Sequence, residues 1–261
     1  MKIFELMEDD EESITEFLQA AEPFLKKNRE AILQEYFLFR GSHDYSKEYF
    51  LKKTRLDMER RPRDMPRKDH AVFDDFLNDK FGYKYRSFAK FATGNRKAAD
   101  TYGRVYIFLP IGDYNFCFSD KVVDPYNDIF SSFFDLIKFI KIKIFKNDLE
   151  EMGKVLKQHS LMSERAFEDS LTVKGMSQNY FETYSAFSAA YEGETDEIDA
   201  INGYSSLIYD VVLPALNYVE TQDLQAAVKT NCEVMVACKS YVMIRDTPEN
   251  VRAILDYTEN L

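Results

Sequence analysis

The sequence RSFAKFATGNRKAADTYGRVYIFLPIG, residues 86–112, changes from a strand pattern to a helix pattern and back to a strand pattern. Phe88 to Thr93 is apolar and β-prone, and Asn95 is a good N-cap for the helix that the spacing predicts over Arg96 to Tyr102. Val105 to Leu109 is a nearly unbroken apolar run, as expected of a buried strand. The stretch therefore predicts the centre of a small β-sheet with a short helix beside it.

Two distant segments are predicted to pair with this unit. Tyr36 to Ser42 is a compact aromatic strand, and Asn231 to Ile244 alternates like two strands joined tightly at Ala237-Cys238. A turn at residues 111–113 predicts a hairpin whose return strand is Tyr114 to Phe118.

Most of the remaining chain has helical spacing, so we predict an α+β fold with a small mixed or antiparallel β core. The chain is expected to form a single domain over residues 1–261. Its N-terminal part, about 1–35, is predicted to be helical, and a large helical insertion is predicted over about 125–220, too long for an ordinary loop. The segments with the clearest helical spacing are Glu11 to Glu35, His70 to Phe81, Asp148 to His159, Ser163 to Leu171, Asn179 to Tyr191, Ile198 to Val219, Thr221 to Lys229 and Thr247 to Tyr257.

The composition narrows the class of protein. The chain of 261 residues has a formal charge of -11 and a pI near 4.9, which argues against a general nucleic-acid coat. Its three cysteines lack CxxC spacing, so a reducing, cytoplasmic setting is the simplest interpretation. The N-terminus becomes acidic within a few residues, which is not typical of a signal peptide. The longest apolar runs are too short for a membrane span.

The one strongly basic stretch lies between Lys47 and Asp69. Its cations between residues 52 and 68 would suit a phosphate or nucleic acid, but interleaved acidic residues offset them. Charge runs without stacking residues are weak signals, so a solvated loop is the favoured interpretation. His43, His70 and His159 are isolated from other ligand types, which predicts no metal site.

Two charged residues stand at the ends of apolar strands. Arg40 ends the aromatic strand, and Glu233 begins the run Val234 to Val236. Such charges either reach solvent or line a cleft. In one cleft, a guanidinium would suit a phosphate and a carboxylate would suit a ribose hydroxyl and a positively charged sugar transition state.

Three pieces, in this order, resemble the mono-ADP-ribosyltransferase superfamily of the Arg-Ser-Glu class. They are Phe39-Arg40-Gly41, then Phe91-Ala92-Thr93-Gly94 with the helix behind it, and Glu233-Val234-Met235-Val236 with the strand that follows. The block from Arg60 to Asp124 also resembles proteins of large tailed phages. Together the pieces cover less than half of the chain.

The resemblance implies NAD as substrate and a macromolecular acceptor, expected to be a protein. Arg40 would hold the pyrophosphate, and Glu233 would bond the ribose and stabilise the oxocarbenium-like state. Gly41 and Thr93 would shape the nicotinamide side.

The nicotinamide ring would stack on Tyr102 or Phe91. Ala92, Thr93 and Gly94 stand where the family has Ser-Thr-Ser, and Ser87 is a candidate to substitute for the missing serine. Asn231 stands two residues before Glu233, where arginine-modifying members carry an acceptor-orienting Glu, so arginine is not the expected target.

Two alternative functions stay open. Water as acceptor would make the site an NAD glycohydrolase. A chain that has lost catalysis would be a binding or structural module, for instance in a phage particle. A second Glu-x-Glu, Glu192-Gly193-Glu194, has no apolar strand after it and is interpreted as a solvated turn.

Overall fold

The structure, a computed structural model, describes residues 13–43, 47–54, 65–130, 136, 138–159 and 203–261. The chain divides into two compact units. The first comprises Met1–Arg60, Tyr85–Asp120 and Val219–Leu261, and the second comprises Arg61–Lys84 and Lys121–Tyr218. The segments predicted as helices over 163–171 and 179–191, and the Glu192-Gly193-Glu194 turn, lie outside the described residues.

The first unit combines a six-stranded antiparallel sheet with short helices, which confirms the predicted α+β class. Its strands are β1 (Phe39–Ser42), β2 (Tyr49–Lys53), β3 (Lys90–Thr93), β4 (Arg104–Phe118), β5 (Val219–Thr221) and β6 (Glu233–Arg245). Its helices are α1 (Ile14–Ala20), α2 (Glu22–Lys27), α3 (Arg29–Leu33), α5 (Tyr85–Phe88), α6 (Arg96–Asp100), α8 (Leu224–Lys229) and α9 (Pro248–Glu259).

The strand order is β2-β6-β3-β1-β4-β5, and β4 also pairs with β6. The strands β6, β3, β1 and β4 therefore form a closed ring of neighbours. Two long strands make this possible, since β6 pairs with β3 and β2 in succession along one edge and with β4 along the other. Each strand of the ring has neighbours on both sides, and the short strands β2 and β5 are the edge strands of the sheet.

The two long strands, β4 and β6, each differ from what the sequence predicted. The expected hairpin at residues 111–113 is a β-bulge within the continuous strand β4, because Gly112 and Asp113 together lie opposite Lys239. Gly112 has a φ of 74°, which suits the bulge. The expected tight connection at Ala237-Cys238 is likewise absent, and β6 runs without interruption through it.

Other strand and helix boundaries also differ from the predicted ones. The basic stretch contains a strand that the sequence did not predict, β2, which pairs with the second half of β6. The helix predicted over Glu11 to Glu35 is broken at Ala21 and Asn28 into three short helices. The predicted starts at Asn95 and Thr247 are confirmed, since both side chains accept a hydrogen bond from the first turn.

The core of the first unit lies between the sheet and helices α1, α2 and α9. Phe24 packs edge-on against Tyr114 with ring centroids 5.1 Å apart, and Phe108 stacks on Tyr241 at 4.7 Å. Such aromatic pairs add specificity to the large apolar area that they bury. This packing fixes β4 and β6, the strands that carry the rest of the sheet.

The second unit is helical in its described part. It contains α4 (Arg67–Phe81), the π-helical turns Tyr126–Phe130 and Ile140–Ile144, α7 (Leu149–Gln158) and a helical segment over 203–215. Phe73 and Phe76 of α4 pack edge-on against Tyr218 and Tyr209. Within the described ranges, every helix is too short or too polar to cross a lipid bilayer.

Candidate functional site

The candidate site lies in the first unit, where β3 runs between the strands that carry Arg40 and Glu233. Thr93 is the register partner of Phe39 in β1 and of Glu233 in β6. Arg40 directly follows Phe39 in the chain. Thr93 therefore pairs with both of the strands that carry Arg40 and Glu233. The three sequence pieces that carried the family resemblance thus lie on neighbouring strands.

Arg40 lies where β1 and β3 separate. The two strands pair only at Phe39 and Thr93 among the described residues, and the next β3 contact comes from the Arg40 side chain. Its Nη1 donates a hydrogen bond of 2.6 Å to the main-chain carbonyl of Phe91. The guanidinium therefore takes the place of a ladder hydrogen bond at this edge.

The environment of the Arg40 charge is poor in counter-charges. Desolvation by burial lowers the pKa of the guanidinium from its usual value, while the nearby side chains of Tyr241 and Cys238 oppose that shift. In the described part of the chain, no carboxylate forms an ion pair with Arg40. A partly desolvated cation of this kind is stabilised by an anion that binds beside it.

Glu233 is the first residue of β6, and its side chain is 24% exposed. Its Oε1 accepts a hydrogen bond from Nη1 of Arg86, which lies in the short helix α5. The Arg86 guanidinium also lies over the Phe91 ring, with Cζ 4.6 Å from the centroid. Arg86 links two of the predicted site residues, and sequence analysis did not single it out.

The other predicted site residues, Ser87, Thr93 and Tyr102, lie in different surroundings. Ser87 lies in helix α5, not in a strand as expected, and it is buried. The Thr93 hydroxyl accepts a hydrogen bond of 3.0 Å from the main-chain N–H of Asn95. Tyr102 is 53% exposed and follows helix α6 at the surface. Of the two predicted aromatic residues, Tyr102 therefore has the more accessible ring.

Two glycines of the motif pieces have a packing role. A Cβ on Gly41 would lie 2.3 Å from the Ala99 carbonyl oxygen, so only glycine lets helix α6 approach β1 this closely. A Cβ on Gly94 would lie 2.0 Å from the Val228 carbonyl oxygen. The backbone of helix α8 thus approaches Gly94 so closely that it leaves no room for a side chain there.

Asn231 has a φ of 55° and lies in the connection between α8 and β6. Its main-chain N–H donates a hydrogen bond to the Val228 carbonyl, and the residue is exposed. Asparagine adopts this left-handed conformation more readily than most residues, so the turn itself accounts for its presence. Asn231 is exposed and lies two residues before Glu233.

The basic stretch is described only at its two ends. Lys52 and Lys53 lie on β2, and the Lys52 ammonium lies over the Phe50 ring at 4.6 Å. Residues 55–64 lie outside the described part, so the predicted phosphate or nucleic-acid contact stays a prediction. No group of three or more metal-ligating side chains occurs among the described residues.

Comparisons with models of known protein families, with curated protein sequences and with solved structures gave no significant match. The functional interpretation therefore depends on the residues of this chain and on how its strands bring them together.

Proposed function

We propose that this protein is an NAD-dependent mono-ADP-ribosyltransferase that transfers ADP-ribose to a macromolecular acceptor and releases nicotinamide. The observation that supports it most strongly is the pairing of Thr93 with both Phe39 and Glu233. Residues almost two hundred positions apart in sequence, Arg40 and Glu233, are carried on strands that flank the same short strand.

Arg40 suits the pyrophosphate of NAD. A guanidinium offers five N–H donors, and the bond to the Phe91 carbonyl uses one of them. Phosphate oxygens accept such planar donors in pairs, and they would compensate a desolvated charge that has no described carboxylate partner. This is the role that the family resemblance gives to the arginine.

Glu233 suits the sugar end of the same substrate. Its carboxylate would accept a hydrogen bond from a ribose hydroxyl and stabilise the positive charge that develops on the sugar ring. The bond between ribose C1′ and the nicotinamide nitrogen breaks, and its electron pair leaves with neutral nicotinamide. The acceptor nucleophile then bonds to C1′ and loses a proton.

The test is nicotinamide release from NAD by purified wild-type protein, Glu233→Gln and the control Glu249→Gln, with and without a bacterial lysate as acceptor source. Glu249 is an exposed carboxylate in the first turn of α9, so its replacement should leave the rate unchanged. Loss of a group that stabilises transition-state charge reduces turnover by about 100-fold or more, which is the result expected for Glu233→Gln.

Full nicotinamide release by Glu233→Gln would contradict the assignment. The products separate the alternatives. Labelled protein in the lysate indicates transfer, free ADP-ribose without labelled protein indicates an NAD glycohydrolase, and neither product with the wild-type protein indicates a binding module.

A further inference from the structure

We infer that Arg86 is a positioning residue that holds the Glu233 carboxylate in its working orientation. The inference rests on the proposed function, because it assigns a second residue to the same site. Arg86 donates a hydrogen bond from Nη1 to Glu233 Oε1, and its guanidinium covers one face of the Phe91 ring.

The difference in exposure between the two partners favours positioning over a simple surface ion pair. The Arg86 side chain is 10% exposed and that of Glu233 is 24% exposed. The cation is thus the enclosed partner, and the carboxylate is the one that a ligand can reach. A carboxylate offers about four acceptor sites, so a bond from Arg86 is compatible with another to a ribose hydroxyl.

The protein fixes Arg86 at both ends. Its backbone belongs to α5, which contacts β6, and the preceding residue Tyr85 is fully buried and donates its hydroxyl hydrogen bond to Glu220. At the other end, the planar guanidinium lies on Phe91, a β3 residue whose register partner is Met235. A cation held in this way restricts the rotamers of the glutamate that it binds.

This arrangement also limits how Phe91 could contact a ligand. The ring face under Arg86 is occupied, so nicotinamide could stack only on the opposite face of Phe91. Tyr102 is the more exposed of the two predicted aromatic residues.

The experiment compares steady-state nicotinamide release by wild-type protein, Arg86→Met and Arg86→Lys. Arg86→Met should lower kcat by about 10-fold to 100-fold, with the KM for NAD within about 3-fold of wild type, because the lost interaction acts on the transition state. Arg86→Lys should recover part of kcat, since a lysine keeps the charge but lacks the planar fork.

Arg245→Met is the matched control. Arg245 ends the same strand and pairs with Glu48, so the variant also removes an arginine–carboxylate pair from β6, and it should keep wild-type kcat. If Arg86→Met does not fold, Phe91→Leu removes the ring under the guanidinium and should lower kcat about 3-fold to 10-fold with KM for NAD unchanged.

Arg86 variants that keep wild-type kcat, or that change only the KM for NAD, would overturn the inference. If Glu233→Gln is inactive and the Arg86 variants stay active, the proposed function stands and this inference alone fails. If the wild-type protein releases no nicotinamide, both fail together.

Discussion

The Arg40 guanidinium donates a 2.6 Å hydrogen bond to the main-chain carbonyl of Phe91 at the point where β1 and β3 separate. The main chains of β1 and β3 pair at a single position, and the Arg40 side chain adds a second contact between the two strands. The same group is the cation to which we assign the NAD pyrophosphate, so its removal has consequences for binding that a titration can measure.

Arg40→Ala is expected to raise the dissociation constant for NAD by about 10-fold to 100-fold, since a hydrogen bond to a charged group contributes about 1.5–3 kcal/mol. Isothermal titration calorimetry on the Glu233→Gln background measures this without turnover. Arg252→Ala is the control, because that side chain is 84% exposed on α9. Equal NAD affinity in Arg40→Ala and wild type would contradict the assignment.

Gly41→Ala is expected to lower the free energy of unfolding by about 1–3 kcal/mol, the usual cost of overpacking. The added Cβ would meet the Ala99 carbonyl at 2.3 Å and the Tyr102 Cβ at 2.7 Å, so helix α6 must shift away from β1. Urea denaturation measures the change. Gly112→Asn should cost less, because a Cβ there meets nothing within 4 Å and asparagine tolerates its φ of 74°.

Asp69 should contribute a loss of stability between pH 4 and pH 6. Burial raises the pKa of this carboxyl from 3.8 to about 6, and a hydrogen bond with Tyr204 opposes the shift. In that window the folded state binds more protons than the unfolded state, so the free energy of unfolding decreases as pH rises. The loss amounts to about 3 kcal/mol and is complete above pH 6.

Asp69→Asn should remove this dependence and be the more stable protein at pH 7, as measured by denaturation at a series of pH values. Asp75→Asn, an exposed position on the same helix, should keep the wild-type slope. A wild-type curve that rises between pH 4 and pH 6 and is unaltered in Asp69→Asn would show that Asp69 does not carry the effect.

Cys238 should resist alkylation in the folded protein. Burial raises the pKa of its thiol to about 12, and the residue is 6% exposed, so little thiolate is present at pH 8. Mass spectrometry after iodoacetamide treatment should find Cys238 unmodified in native protein and modified in guanidinium chloride. Modification at equal rates in both conditions would mean that the thiol is not enclosed.

The elements that local chemistry determines were predicted well from the sequence. The helix starts at Asn95 and Thr247 and the helix end at Phe81 depend on a few neighbouring residues, and each is found as expected. The α+β class likewise follows from the spacing of apolar residues. These features need no knowledge of distant contacts.

The predictions that failed depend on partners far away in the chain. Gly112-Asp113 has the composition of a hairpin turn, but it forms a bulge because β6 continues past it on the other side. The strand Tyr49–Lys53 lies in a charged stretch and becomes a strand by pairing with residues 240–244. Local propensity is a weak guide wherever such a pairing overrides it.

The candidate site shows the same division. The sequence indicated Arg40, Thr93 and Glu233 through a resemblance, and the structure shows that their strands adjoin. Arg86 cannot be identified from the sequence, because no spacing rule connects it to a residue 147 positions away. The sequence predicts a strand at its neighbour Ser87, where the chain forms a helix.

The strand β6 pairs with β2, β3 and β4, and it is the last of the six strands to leave the ribosome. Until it emerges, the strands β2, β3 and β4 of a nascent chain each lack a pairing partner. Closure of the sheet therefore waits until β6 has emerged, and a stop codon between Phe118 and Glu233 would leave unpaired strands for chaperones and proteases to recognise.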